Sequence, residues 1–117
     1  MPVVGLFRNA QKTINVPAGG VVFHEGDEGH EMFGVVEGQL QLQAKGRVIA
    51  TLGPDDVFGE MALVDKAPRM ATALAITDSV LAAIDQHLFL FLVQETPTFA
   101  LSVMSAMADR LRDHASD

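Results

Sequence analysis

Between residues 12 and 85 the chain is a series of short apolar or alternating segments separated by turn-forming residues. The clearest segment, residues 39–43, reads QLQLQ, and this strict alternation is typical of a strand with one buried face. Gly38 precedes it, and Lys45 and Gly46 follow it as turn residues. Further segments that predict strands occupy residues 21–23, 33–36, 47–52, 71–76 and 80–84. Strands this short at such close spacing predict a mainly β fold, either a sandwich or a jelly-roll barrel.

The two ends of the chain predict helices instead. Residues 1–10 are expected to form a short helix, and residues 86–94, which are apolar on most faces, a second one. A third helix is predicted over residues 97–112. Thr96 is a good N-cap for it, and Pro97 suits its first turn.

The last predicted helix carries an apolar stripe formed by Leu101, Met104, Ala108 and Leu111. Its heptad spacing predicts the seam of a homodimer, although the stripe spans little more than two heptads. The same residues could equally pack on the strands as a lid. The sequence leaves both alternatives open.

Length and composition limit the classes of protein to consider. With 117 residues the chain is long enough for a single domain, residues 1–117, and too short for a second. The 49% hydrophobic content with 20% charged residues is typical of a globular protein. No apolar run approaches the roughly 20 residues that span a bilayer. The N-terminus does not resemble a signal peptide, so a cytoplasmic location without membrane contact is expected.

The charge and the absence of cysteine exclude further functions. Without cysteine the chain forms no disulfide and no thiolate-bound iron–sulfur cluster. A formal net charge of -7, with a pI near 4.8, argues against direct binding of nucleic acid. A serine-centred elbow, a Walker loop and an HExxH motif are also absent, so the chain is not expected to be an enzyme.

Residues 58–73, which read FGEMALVDKAPRMATA, are the best candidate for a binding site. Gly59 lets the backbone approach an anion closely, and the amides at the start of a short helix would point at that anion. Arg69 supplies a planar fork for phosphate oxygens. Glu60 can accept a hydrogen bond from a ribose hydroxyl, and its charge would also favour holding Arg69 in place. An anion-binding group beside a hydroxyl-binding group predicts a site for a nucleotide ribose-phosphate.

This segment closely resembles the phosphate-binding cassette of the cyclic nucleotide-binding domain family. The family pattern, FGE, an aliphatic residue, AL, a variable loop and PRxA[TS], is matched by FGEMAL at residues 58–63 and PRMAT at 68–72. Residues 17–29 resemble the family's first strand and glycine-rich turn, and residues 32–38 the strand and turn that follow. The resemblance covers nearly the whole chain. It implies an eight-stranded β-roll barrel framed by a short N-terminal helix and two C-terminal helices.

The resemblance also implies roles for individual residues. Arg69 and nearby backbone amides would bind the cyclic phosphate, Glu60 and the Gly59 backbone the ribose, and the strand before the cassette would wall the base. Arg110 and His114 are the best candidates near the base on the last helix. The expected ligand-binding residues are Val48, Ile49, Phe58, Gly59, Glu60, Met61, Ala62, Arg69, Met70, Ala71 and Arg110.

The implied ligand is a 3′,5′-cyclic purine nucleotide, with no cofactor. Met70 stands where family members commonly have Ser, Thr or Ala, and it lacks the hydroxyl that helps to recognise guanine, which favours cAMP over cGMP. A stand-alone sensor would pass its signal to an unidentified protein effector or through a homodimer.

Other interpretations of these residues remain open. Glu60 could simply cap the helix that it opens, and Arg69 could be a surface residue. Residues 24–31 contain two histidines and four carboxylates, which would suit a metal-dependent enzyme of cupin type with His24 and His30 as ligands, although the family's turn accounts for most of them. The remaining alternative is an interaction module that kept the fold and lost the ligand.

Overall fold

The computed structural model describes residues 5–8, 10 and 12–115, with side chains as far as residue 112. The described residues form eight strands and three helices. The strands are β1 (Thr13–Val16), β2 (Val21–Phe23), β3 (Glu31–Glu37), β4 (Leu40–Ala44), β5 (Arg47–Leu52), β6 (Val57–Phe58), β7 (Thr72–Ala75) and β8 (Ser79–Asp85). The helices are α1 (Met61–Val64), α2 (Gln86–Glu95) and α3 (Thr98–Ala115). The prediction of a mainly β fold with eight strands and two C-terminal helices is confirmed.

The strands form two antiparallel sheets of four strands each, in the orders β1-β8-β3-β6 and β2-β7-β4-β5. The two sheets are not joined by hydrogen-bonded pairing into a closed ring, so the barrel part of the prediction is not confirmed. The segment patterns missed β1 and β6. β6 contains only two residues, which is too short for any periodicity to be visible.

The predicted N-terminal helix over residues 1–10 falls partly outside the described residues. The part that is described, residues 5–8, is a turn in which the Arg8 N–H donates to the Gly5 carbonyl at 3.1 Å. The Phe7 ring is buried, and it packs edge-on against the Phe99 ring of α3 with 6.2 Å between centroids.

The first sheet is the middle layer of the molecule, because β8 is buried on both of its faces. Leu81 and Ala83 pack into the cluster between the two sheets, whereas Ala82 and Ile84 pack into the cluster beneath α2 and α3. Successive side chains of a strand point to opposite faces, so a strand covered on both sides is apolar throughout. This accounts for the unbroken apolar run at residues 80–84.

Helix α3 packs on the first sheet through a different stripe from the one that the sequence suggested. Phe99 and Val103 are buried, with 0% and 2% of their surface exposed. Leu101, Met104 and Leu111 are 62%, 61% and 71% exposed. The lid alternative is therefore wrong for Leu101 and Met104. Apolar residues occupy two overlapping stripes of this helix, and only the packing decides which stripe is buried.

Within the described residues, no single helix is both long and apolar enough to cross a membrane. The pair formed by α2 and residues 98–112 meets the length and composition criteria only when both helices are taken together, and a bend of 119° separates them.

Candidate functional site

A cavity of about 230 Å³ lies where the cassette, the β4–β5 pair and the C-terminal part of α3 meet. Its walls are mainly apolar, and the charged exceptions are Glu60, Arg69 and Arg110. The lining residues are Phe23, Leu42, Ile49, Gly59, Glu60, Met61, Ala62, Pro68, Arg69, Met70, Ala71, Met107, Arg110 and Leu111. The fold thus collects polar and apolar groups from distant parts of the chain around one hollow.

The Arg69 side chain is buried and its backbone is held by the glycine-rich turn. Its N–H donates to the Asp27 carbonyl at 2.8 Å, and its own carbonyl accepts from the Gly26 N–H at 2.8 Å. The guanidinium Nη1 donates to the Gly59 carbonyl at 3.1 Å, while the buried Nε has no acceptor among the described residues. A buried guanidinium with unused N–H donors is suited to binding an anion.

No direct ion pair compensates the charge of Arg69 in the described part of the chain. Burial lowers the pKa of Arg69, because its charged form loses hydration, and the more distant carboxylates of Glu31, Asp27 and Glu60 act in the opposite direction. A bound anion would supply the counter-charge that the protein does not place in contact with this group.

The Glu60 carboxylate is buried, with 3% of the residue exposed, and it pairs with Arg110 of α3. Arg110 Nη1 donates to Glu60 Oε1 at 2.5 Å, and Arg110 Nη2 donates to the Val57 carbonyl at 2.9 Å. Desolvation raises the pKa of Glu60, while the nearby charge of Arg110 opposes the rise. Glu60 was also predicted to hold Arg69 in place, but its carboxylate pairs with Arg110 instead.

The turn into α1 requires a glycine. Gly59 has a φ of +78°, in the left-handed region that favours glycine, and a Cβ at this position would come within 2.8 Å of Arg69 Nη1. Glu60 follows at the N-cap of α1, but its side chain makes no capping hydrogen bond. The alternative that Glu60 serves as a helix cap is therefore wrong.

Most of the predicted ligand-binding residues line this cavity, and they are Ile49, Gly59, Glu60, Met61, Ala62, Arg69, Met70, Ala71 and Arg110. Phe58 and Val48 do not. Phe58 is fully buried in the core between the sheets, and Val48 is 53% exposed. Val48 and Ile49 are consecutive on β5, so their side chains point to opposite faces and only one of them can reach the cavity.

The Arg110 side chain was expected near the base, but it reaches the Glu60 carboxylate and the Val57 carbonyl. The side chain of His114, the other candidate on this helix, lies outside the described side chains. The lining residues that the prediction omitted are Phe23, Leu42, Pro68, Met107 and Leu111. The alternation of residues 39–43 could have identified Leu42 as inward-facing. Phe23 and Met107 carry no such signal, because their position depends on how β2 and α3 approach the cassette.

The acidic and histidine-rich segment at residues 24–31 forms a turn and the start of β3. His24 Nδ1 lies 3.8 Å from an Asp27 carboxylate oxygen. Within the described ranges, no three His, Asp or Glu side chains gather closely enough to hold a metal ion. The cupin-type alternative, which needs such a set of ligands, has no support in this geometry.

Comparison with known proteins gives a family match over most of the chain. The model of the cyclic nucleotide-binding domain family matches residues 13–96. The cyclic AMP receptor protein of Thermus thermophilus is 34% identical over 102 residues, which cover 83% of this chain and 47% of that protein. The chain therefore spans about half the length of this relative.

Solved structures agree with the sequence comparison. The crystal structure of the Thermus thermophilus catabolite activator protein is similar with a TM-score of 0.75 and 32% identity, and the match covers 89% of this chain and 51% of that chain. A second solved structure was reported for a cyclic-GMP-dependent signalling pathway that regulates bacterial phytopathogenesis. It is similar with a TM-score of 0.71 and 30% identity, and the match covers 87% of this chain and 85% of that chain.

Proposed function

The chain belongs to the cyclic nucleotide-binding domain family, and from this premise we propose that it binds a 3′,5′-cyclic purine nucleotide in the cavity beneath the cassette, as a regulatory module without enzymatic activity. Arg69 binds the cyclic phosphate, together with backbone amides around Met61, Ala62 and Met70. Glu60 accepts a hydrogen bond from the ribose. The observation that carries the proposal is the buried Arg69 guanidinium, which has unused donors and lies in the wall of a cavity that Glu60 also lines.

The charge of the cavity supports a cyclic phosphate over an open one. The charged groups that line it are Arg69, Arg110 and Glu60, and one positive charge remains after Arg110 pairs with Glu60. A cyclic phosphodiester carries a single negative charge, whereas a phosphomonoester carries close to two at neutral pH. A phosphodiester therefore matches the site without leaving a second anionic charge unpaired in a largely apolar hollow.

The choice between nucleotides is proposed to favour cAMP over cGMP. Met70 lines the cavity and offers no hydroxyl to a guanine base. The remaining side of the hollow is apolar, with Leu42, Ile49 and Met107 as walls, which suits the face of a purine without selecting its polar edge. The preference for cAMP is therefore expected to be modest.

Ligand binding is proposed to act on α3 through two links. The first is Arg110, which reaches from α3 to the carboxylate that the ribose would use. The second is Leu63 of α1, which packs into the same apolar cluster as Phe99 and Val103 of α3. A nucleotide that binds better when the cassette and α3 are closed shifts the population toward that arrangement, and only to the extent of this difference in affinity.

The signal leaves the domain through another protein or through a second copy of the chain. The exposed residues Leu101 and Met104 of α3 present apolar surface that does not line the cavity. We assign this surface, called here the outer α3 stripe, to a homodimer seam, consistent with its heptad spacing.

Isothermal titration calorimetry with cAMP and cGMP tests the proposed function. We expect binding of both nucleotides, tighter for cAMP, and a loss of roughly a hundredfold or more in Arg69→Ala, because the buried phosphate would lose its charged partner. Arg8→Ala is the matched control, since Arg8 is exposed and does not line the cavity. Undiminished affinity in Arg69→Ala would contradict the proposal.

The alternative of an interaction module without a ligand predicts a different result. Neither nucleotide would then produce heat in calorimetry or raise the unfolding temperature, whereas a ligand at one hundred times its Kd stabilises a protein by about 2.7 kcal/mol. The unused donors of Arg69 argue against this alternative, because a buried guanidinium without a partner is costly to keep in a site that binds nothing.

A further inference from the structure

Two residues outside the cassette determine where the Arg69 guanidinium lies. The Phe23 ring of β2 lies under it, with 4.1 Å from the Arg69 Cζ to the ring centroid. Gly29 lies against it from the glycine-rich turn. A Cβ built at Gly29 would be 2.3 Å from both Cζ and Nε of Arg69. The guanidinium thus occupies space that exists only because residue 29 has no side chain.

We infer that Phe23 and Gly29 are positioning residues that hold the Arg69 guanidinium ready for an anion, an inference that rests on the proposed binding of a cyclic nucleotide. Neither residue is expected to contribute a hydrogen bond to the ligand. Their effect is exerted through Arg69, by fixing the plane and location of its fork before the ligand arrives.

The need for such support follows from the few polar contacts of this side chain. Its one hydrogen bond from the guanidinium goes to the Gly59 carbonyl, and no carboxylate of the described residues pairs with it. A long side chain with a single polar tether keeps much of its rotamer freedom, which binding would have to remove. An aromatic face attracts the cation and restrains its plane without using any of its N–H donors. These donors therefore stay available for phosphate oxygens.

Two neighbouring aromatic rings hold the Phe23 ring in place. It packs against the Phe33 and Phe58 rings at centroid distances of 6.1 and 5.9 Å. Phe33 is itself farther from the guanidinium, at 5.8 Å from Arg69 Cζ to its centroid. The chain therefore offers two phenylalanines of one cluster for comparison: Phe23, which lies under the cation and lines the cavity, and Phe33, which is buried and farther from the cation.

Gly29→Ala tests the steric half of the inference. Residue 29 does not have a positive φ, so alanine is conformationally acceptable, and the atoms that must move are the flexible end of Arg69. We expect at least a tenfold loss of cAMP affinity with little change in thermal stability. The control is Gly53→Ala, because a Cβ at Gly53 meets nothing within 4 Å. Equal affinities of Gly29→Ala and Gly53→Ala would overturn the steric half.

Phe23→Leu tests the aromatic half. We expect an approximately three- to tenfold loss of cAMP affinity, restoration in Phe23→Tyr, which keeps the π face, and a smaller loss in Phe33→Leu, which damages the same core cluster farther from the cation. Equal losses in Phe23→Leu and Phe33→Leu would show a merely structural role and overturn this half, as would unchanged affinity in Phe23→Leu.

A spectroscopic measurement separates this inference from the proposed function. In the ligand-free protein the Arg69 Nε–H resonance, assigned with Arg69→Lys, should be shifted upfield by the Phe23 ring current. The shift should be lost in Phe23→Leu and kept in Phe33→Leu. An unshifted resonance in the unsubstituted protein would overturn the inference even if cAMP binds. A shifted resonance without any cyclic nucleotide binding would overturn the proposed function and leave the placement of the guanidinium supported.

Discussion

At the scale of single residues, Glu60 and Arg69 differ in how the protein treats their charge. Glu60 is buried with a cation from α3 in contact, whereas Arg69 is buried over an aromatic ring, and no carboxylate among the described residues contacts it. The Glu60 carboxylate therefore has a charged partner within the protein, whereas the Arg69 guanidinium keeps N–H donors available for a ligand. In the proposed complex, the ribose would share Glu60 with Arg110, whereas the phosphate would meet unused donors of Arg69.

The raised pKa of Glu60 predicts a pH dependence of stability. Because burial raises its pKa above the ordinary value of 4.5, the folded protein holds this proton more tightly than the unfolded chain does. The stability that Glu60 contributes is then fully present below about pH 4.5 and is lost as the pH rises through the raised pKa. We expect the free energy of unfolding of the protein, relative to Glu60→Gln, to fall as the pH rises above about 4.5 in urea denaturation.

The same substitution at Glu37, an exposed residue at the end of β3, is the control for removing one carboxylate. If the free energy of unfolding of the protein minus that of Glu60→Gln stayed constant or rose with pH, the direction given for the pKa of Glu60 would be wrong.

At the scale of elements, α3 carries two apolar faces with different roles. Phe99 and Val103 join the cluster beneath the helices, and the outer α3 stripe faces away from it. Between these faces, Met107 and Arg110 reach the cavity. One helix therefore contributes to the core, to the site and to an exposed surface, which makes it the element best placed to convert binding into a change elsewhere.

Phe99→Ala measures how strongly the inner face of α3 is held. Phe99 is fully buried and contacts the Phe7 and Phe89 rings at 6.2 and 5.7 Å between centroids, so its removal leaves a cavity. We expect a loss of about 3–5 kcal/mol in the free energy of unfolding. Measured at a protein concentration low enough to keep the chain monomeric, Leu101→Ala, on the exposed face of the same helix, should change it by no more than about 0.5 kcal/mol. Similar losses in both variants would show that the helix face has been assigned wrongly.

At the scale of the whole molecule, the fold is three layers: the second sheet, the first sheet and the pair α2 and α3. The cavity lies on the second sheet's side of the cassette, since Leu42 and Ile49 come from β4 and β5. Arg110 bridges from the helical layer to this cavity through Glu60. A ligand in the cavity would thereby be connected to the outer α3 stripe, which does not line the cavity.

The proposed homodimer gives a prediction at this scale. If the outer α3 stripe is a dimer seam, Met104→Glu places a charge in an apolar contact and should shift the chain toward monomer by at least tenfold in the dissociation constant, as measured by sedimentation equilibrium. Val48→Glu introduces the same residue at another exposed apolar position, on β5, and should leave the association unchanged. An equal effect of both substitutions, or a monomeric parent chain, would argue against this seam.

The sequence by itself determined most of the strands and both C-terminal helices, and it predicted the chemistry of the cassette. The alternation at residues 39–43 and the apolar run at 80–84 predicted strands, because side chains of a strand report which faces are covered. The spacing of Gly59, Glu60 and Arg69 predicted an anion site beside a hydroxyl acceptor. This was predictable because the glycine that the turn requires and the two charged side chains occur in one short segment.

Only the tertiary structure decided the partners of these groups. Arg110 meets Glu60 across 50 residues of sequence, and Phe23 reaches Arg69 from another strand. It also decided that Phe99, and not Leu101, faces the core, although both are large apolar residues of one helix. Such choices depend on how whole elements pack, and no local pattern of residues contains that information.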